Sequence, residues 1–403
     1  MRVYLDNSAT TKPYDEVIDI ITEVQRQNWG NPSSAHSMGL EAEKTVKEAA
    51  HIIGETLGIS KENIIFTSGG TESNNMALMQ PFFDVKKIKN RHIITSAVEH
   101  PAVNGPCEYL KQNGASLRRI PVDNKGVLDI EKFEYAVRQG ASIISVMFVN
   151  NEVGTIQPIK EICKIKTHVA AEGHRDILLH TDAVQAYGKF NIDLSSTELA
   201  SIDMLTVSAH KIHGPKGVGA LVVCNPAKIK PFIRGGGQQK GFRSGTENVP
   251  AIVGFGSAAL ITENNMKDNM KNVGRLREKL LSGLKSEIDD VKINSPEDIS
   301  LDGETGKCVP GILNVSFRGT KGEVILHSLE QNGIFVSTES ACGSKKKGLS
   351  PVLSAMGLSN DEIEGAIRFS ISAFNTEEEI EFAVKETKKA VTKFRKMTGY
   401  KKR

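Results

Sequence analysis

The chain is poor in the features that mark several protein classes. Its 403 residues include five cysteines, one tryptophan and only 5% aromatic residues. Cys107, Cys163, Cys224, Cys308 and Cys342 are odd in number and widely separated, which suits neither a disulfide framework nor closely spaced zinc ligands. Reduced thiols are expected, and a special cysteine has to be recognised by its neighbours. An excess of one charge is also missing: 51 Lys and Arg stand against 48 Asp and Glu, a formal net charge of +3. No surface dedicated to nucleic acid is expected from that balance. No apolar run approaches the roughly 18 uninterrupted residues of a membrane-spanning helix; the run at 143–149 contains Ser145 and soon meets Asn150. The opening Met1-Arg2-Val3-Tyr4-Leu5-Asp6-Asn7 lacks the apolar stretch of a secretory signal, so a cytoplasmic protein with no membrane partner is expected. What remains, 39% hydrophobic and 25% charged residues, is ordinary for a globular protein of two or three domains.

Short apolar runs alternate with helical patterns through the first two thirds, which predicts an α/β fold with a mainly parallel sheet. The runs share an ending. Ile64-Ile65-Phe66 leads into Thr67-Ser68-Gly69-Gly70-Thr71, Ile93-Ile94 into Ser96-Ala97-Val98-Glu99-His100, and 143–149 into Asn150-Asn151-Glu152. Likewise 177–179 leads into His180-Thr181-Asp182, and 204–207 into Ser208-Ala209-His210-Lys211. Ligands of open α/β sheets bind beyond the carboxyl ends of strands, so these clusters predict one shared site. After residue 260 a charged helical stretch at 263–287 and a loop rich in Asp, Gly and Pro indicate a smaller domain. The expected division is a large domain at 14–260 and a small domain made of 1–13 and 261–403. The last helix is expected to start at Thr376, with Glu379 in capping-box spacing and Ile380, Val384, Thr387, Val391 and Phe394 on one face. The closing Tyr400-Lys401-Lys402-Arg403 reads as a solvated tail.

Lys211 carries the most information. It follows a predicted strand and stands beside His210, with His213 and Lys216 close behind. An amine near imidazoles and other cations has a depressed pKa and can act as a Schiff-base nucleophile. Alone it would read as a surface lysine, but Asp182 ends a neighbouring strand, and a carboxylate facing a pyridine nitrogen is what a pyridoxal phosphate site requires. The segment from Ser68 to Asn75 offers small residues and a helix N-terminus to a phosphate. A second loop rich in Gly and donors, Arg234-Gly235-Gly236-Gly237 and Arg243-Ser244-Gly245-Thr246, could reach the same phosphate or that of a neighbouring subunit. His100 could stack on a cofactor ring. Arg368, in Ala366-Ile367-Arg368-Phe369-Ser370, suits a substrate carboxylate or a structural ion pair. Cys342 lies in Ser340-Ala341-Cys342-Gly343-Ser344-Lys345-Lys346-Lys347, a segment too small and charged to be core, where three lysines favour a thiolate.

Taken together, these motifs resemble the NifS-like cysteine desulfurases of pyridoxal phosphate fold type I. Tyr4-Leu5-Asp6-Asn7-Ser8-Ala9-Thr10-Thr11, Gly30-Asn31-Pro32-Ser33-Ser34-Ala35-His36, Glu99-His100-Pro101-Ala102-Val103 and Asn150-Asn151-Glu152-Val153-Gly154 extend the resemblance over nearly the whole chain. It implies a large domain with a mainly parallel seven-stranded sheet and a smaller α+β domain. It implies that Lys211 carries pyridoxal 5'-phosphate covalently, Asp182 pairs with the ring nitrogen, and His100 stacks on the ring. Asn151 and Gln185 would bond the ring hydroxyl. Gly70, Thr71, Ser208 and His210 would hold the phosphate, with Thr246 supplied by the other subunit of a homodimer. Arg368 and Asn151 would fix the carboxylate of L-cysteine, and Cys342, on a long loop, would take its sulfur as a persulfide and leave alanine. The sulfur would pass to an acceptor protein, a tRNA-thiolating enzyme or an iron-sulfur scaffold. A selenocysteine lyase or an aminotransferase of the same fold is the alternative, and the thiol at 342 separates them. A non-catalytic adaptor would not need Lys211, Asp182 and His100.

Overall fold

The computed structural model describes residues 1–83, 88, 91–173, 177–338 and 348–400. Its strands, in chain order, are β1 (Val3–Tyr4), β2 (Ile64–Thr67), β3 (His92–Ser96), β4 (Ser116–Ile120), β5 (Ile143–Ser145), β6 (Leu178–Asp182), β7 (Met204–Ser208), β8 (Gly219–Val223), β9 (Val291–Ile293), β10 (Ile312–Phe317), β11 (Ile334–Phe335) and β12 (Ala366–Ser370). Seven of them form one sheet in the order β2-β8-β7-β6-β5-β3-β4. β8 runs antiparallel to both neighbours, while the other pairs are parallel. The fold is therefore α/β with the mainly parallel seven-stranded sheet expected. β2, β7 and β8 are buried at every position, as continuous apolar runs must be when both sheet faces are covered. β4 carries Arg118 and Arg119 on a partly exposed strand, which suits its place at the sheet edge.

The helices are α1 (Asp15–Gln27), α2 (Ser37–Glu55), α3 (Gly70–Leu78), α4 (Pro101–Gln112), α5 (Ile130–Arg138), α6 (Ile159–Ala171), α7 (Val249–Glu287), α8 (Gly322–Gln331), α9 (Pro351–Ala355), α10 (Asn360–Glu364) and α11 (Glu377–Thr398). No helix among the described residues is long and apolar enough to cross a membrane. α7 is one continuous 39-residue helix, so residue 260 falls inside it. Beyond it, β12-β10-β9 form an antiparallel sheet and β1 pairs with β11. An apolar cluster there joins Val3 and Leu5 to residues from Val273 to Val391.

α11 begins as the sequence predicts. Thr376 Oγ1 accepts from Glu379 N at 3.3 Å, and Glu379 Oε2 accepts from Thr376 N at 3.2 Å, which satisfies donors that a helix start otherwise leaves open. Two local expectations change. The strand at 143 stops at Ser145 because β3, its partner on one side, ends its pairing at Thr95, while on the other side Phe148 N still reaches Asp182 O at 2.9 Å. Tyr400 is no free tail residue: its hydroxyl donates to Asp290, and Arg395 lies over its ring at 5.2 Å.

Candidate active site

The polar ends of the strands converge on one cavity of about 280 Å³. Gly70, Thr71, His100, Asn151, Asp182, Gln185, Ser208, His210, Lys211 and Arg368 all line it. Thr246 does not; it is exposed, on a loop that Arg243 ties to Glu72 at 2.7 Å. Cys342 lies outside the described residues.

One wall is set by β6. Its last residue, Asp182, accepts from Asn74 Nδ2 at 2.7 Å and from Val184 N at 3.0 Å. Both carboxylate oxygens are thereby fixed in direction. His180, two residues earlier and so on the same strand face, is buried between Ser145 Oγ at 2.9 Å and Thr206 Oγ1 at 3.0 Å. Burial pulls its pKa down to about 3, which keeps it neutral beneath Asp182.

The neighbouring part of the lining is made by α3 and β7. Gly69 has φ +152°, a conformation that favours glycine, and it delivers the first turn of α3 to the cavity. A Cβ on Gly70 would lie 2.9 Å from Val184 Cγ2, so a larger residue here would have to displace that side chain. Unbonded N-H groups of a first helical turn attract anions. Ser208 Oγ, at the end of β7, is buried with no hydrogen-bond partner among the described residues. A buried hydroxyl without a partner is costly, and here it lines the same cavity as the helix end. His210 is pulled down to about 4 by burial, then by Lys211 and Lys216. These groups suit a phosphate: they offer donors and nearby cations.

Lys211 Nζ donates to Ser8 O and to Ala9 O, the latter at 2.9 Å. His100 caps α4, with Nδ1 accepting from Ala102 N at 3.1 Å. In the neutral ring this leaves the proton on Nε2. The ring stays accessible through the open cavity, yet the surrounding protein lowers its pKa, against the opposing pull of Asp182. Beside it Glu99 is fully buried, accepts from Ser96 Oγ at 2.6 Å and Met147 N at 2.9 Å, and is pushed up to about 8 mainly by burial. Arg368 pairs with Asp6 at 2.9 Å and donates to Asn151 O at 3.1 Å while lining the cavity. Of the two sequence alternatives for this arginine, the ion pair is present, and the side chain also borders the cavity.

Ser8, Asn74 and Met147 are cavity residues that sequence reasoning did not single out. Asn74 had a usable signal, since it stands four positions after Gly70 and so faces the same side of α3. A pyridoxal phosphate fits this chamber in kind: anion donors, a directed carboxylate and a lysine amine line the same cavity.

The comparisons define the class. The aminotransferase class-V family model matches residues 3–382, and the chain belongs to that pyridoxal phosphate-dependent family. Within it the similarity runs to the NifS-like cysteine desulfurases. "Cysteine desulfurase IscS" of Clostridium botulinum is 40% identical over 400 residues, covering 98% of this chain and 96% of its own length. "Cysteine desulfurase IscS 1" of Archaeoglobus fulgidus is 41% identical over 374 residues, 93% of each chain. Among solved structures a "NifS-like protein" superposes with a TM-score of 0.86 at 38% identity, covering 97% of this chain and all of its own. The structure titled "SspA in complex with cysteine" has a TM-score of 0.77 at 32% identity, covering 93% of this chain and 100% of its own.

Proposed function

We propose that the chain is a cysteine desulfurase that takes sulfur from L-cysteine, leaves L-alanine, and holds the sulfur as a persulfide on Cys342. The observation that carries this reading is the one cavity in which Lys211, the Asp182–Asn74 pair, Arg368 and the Ser208 hydroxyl, without a partner among the described residues, meet. When bound, pyridoxal phosphate supplies a conjugated ring that accepts negative charge from the substrate carbon.

The chain's own residues do the rest. Gly70, Thr71, Ser208 and His210 hold the phosphate, joined by Thr246 of a second copy; the exposure of Thr246 away from its own cavity supports that assignment. Asp182, its direction fixed by Asn74, holds the proton of the ring nitrogen. His100 covers the ring, while Asn151 and Gln185 bond its hydroxyl. Arg368 grips the substrate carboxylate through its planar fork, with help from Asn151. The Lys211 amine, steadied by the Ser8 and Ala9 carbonyls, moves the substrate's α-proton. Cys342 thiolate then attacks the substrate sulfur. An S–S bond forms, the carbon–sulfur bond breaks, and its electron pair returns to carbon, which is protonated to alanine. The large domain at 14–260 carries the cofactor, and the small domain carries the thiol. A homodimer in the cytoplasm, passing sulfur to a tRNA-thiolating enzyme or an iron-sulfur scaffold, completes the reading.

The test is incubation of the purified holoenzyme with L-cysteine, measuring alanine and sulfide and weighing the protein by mass spectrometry. Wild type gains sulfur at Cys342, and Cys342→Ala loses alanine release by about two orders of magnitude or more. Equal release by both proteins would remove Cys342 from the mechanism.

A further inference from the structure

A second, smaller cavity of about 50 Å³ also borders Ser8 and Lys211, and Lys189, Tyr14, His213 and Asn269 line it. Lys189 has no place in the mechanism above. Its Nζ donates to Gln185 O at 2.7 Å and to Gln185 Oε1 at 2.9 Å. Gln185 Nε2 in turn donates to Ser8 O at 2.9 Å, the carbonyl that also receives Lys211 Nζ. A hydrogen-bonded chain therefore runs from Lys189 through Gln185 and Ser8 to the carrier lysine.

The chemistry of this chain fixes one choice. A glutamine on a cavity wall can present either its oxygen or its NH₂ group. Main-chain oxygen and Oε1 both only accept, so Lys189 keeps an N-H on each of them whether or not it carries its third proton. The Gln185 oxygen is thereby committed to Lys189, and the NH₂ group is the end left for Ser8 and the cofactor cavity. The charged and titratable groups around Lys189 in the small cavity are Lys211, His213 and Tyr14, and no carboxylate lines it among the described residues. Burial and Lys211 bring the Lys189 amine down to about 7, and burial also lowers His213 and raises Tyr14.

We propose that Lys189 is a positioning residue that locks the Gln185 amide with its NH₂ group toward the cofactor's ring oxygen, making Gln185 an obligatory donor there. The inference rests on the reading that Gln185 bonds the ring hydroxyl. A ring oxygen deprived of its donor holds the proton it shares with the tethering nitrogen more firmly, so the titration of the bound chromophore must move to higher pH.

The experiment follows the absorbance of bound pyridoxal phosphate against pH in holoenzyme of wild type, Lys189→Met, Lys189→Arg, Gln185→Ala and the double variant Lys189→Met/Gln185→Ala. Lys189→Met should titrate higher than wild type by roughly half a unit to one unit, Lys189→Arg, which keeps its donors, should titrate close to wild type, and the double variant should match Gln185→Ala alone. Lys189→Leu, which likewise has no donor, gives the same comparison should the methionine variant not accumulate. If the Lys189 variants titrate with wild type while Gln185→Ala shifts, or if the two shifts add, the proposal is overturned and the reading of Gln185 stands. If Gln185→Ala itself titrates with wild type, that reading fails and the proposal falls with it.

Discussion

β6 and β7 lie side by side and end at the same cavity, yet they deliver opposite things. β6 ends in Asp182, whose carboxylate is already matched to Asn74 and the Val184 amide. β7 ends in Ser208, whose buried hydroxyl has no partner among the described residues. On the proposed reading, the part of the chamber that faces the ring is braced within the chain, whereas the part that faces the phosphate keeps a donor open for an anion. A braced carboxylate gives direction and charge without reorganisation. A donor left unmatched in the chain becomes binding energy for the cofactor instead of stability for the fold.

Substitutions at the two strand ends test this contrast. Asp182→Asn keeps groups that can bond Asn74 and Val184 but removes the charge, and kcat for alanine release should fall by about 10²–10³-fold. Ser208→Ala should weaken cofactor affinity about 10–100-fold, the value of a hydrogen bond to a charged partner, while the melting temperature of cofactor-free protein stays level or rises. Asn74→Ala should behave in the reverse manner: cofactor-free protein loses about 1–3 kcal/mol in denaturant unfolding, because a buried carboxylate oxygen loses its donor. A Ser208→Ala protein that melts earlier without cofactor would erase the distinction between the two ends.

A smaller effect comes from the groups beneath the site. The folded His180 has its pKa at about 3, below the ordinary 6.5, so as pH falls through 6.5 the unfolded chain takes up a proton that the fold refuses. The His180 contribution alone should fall by roughly 1 kcal/mol between pH 6.5 and 5.5, and it should go on falling until pH passes the folded value. Glu99 acts in the other direction: raised to about 8, it stays protonated in the fold while its unfolded counterpart ionises, so stability declines as pH rises from about 4.5 to 8. Because the two contributions oppose each other across pH 5.5–6.5, the readout is the difference between proteins: in urea unfolding, His180→Gln should gain about 1 kcal/mol relative to wild type as pH falls from 6.5 to 5.5, and a difference that stays constant would rule out the His180 contribution.

Much of this was legible because apolar runs that end in polar residues describe strands opening into a crevice. Asp182, Ser208, His100 and Lys211 were found in that way, and all four line the cavity. What escaped were partners far apart in the chain. Gln185 and Ser8 are 177 positions apart, and Lys211 and Ser8 are 203 apart, so no local pattern announces that one carbonyl serves both. The antiparallel run of β8, the start of α7 at Val249 rather than 263, and the tethering of Tyr400 were missed for a related reason: packing against distant elements decides them.

By itself the sequence determined the family and picked out polar side chains that line one cavity, because residue type and the periodicity of burial are properties of short segments. Only the tertiary structure decided which way each group faces and whether its bonding capacity is spent or left open. Hydrogen bonds between buried groups depend on angstrom-scale placement of segments hundreds of residues apart, and such placement exists only once the sheet and its covering helices have closed around the cavity.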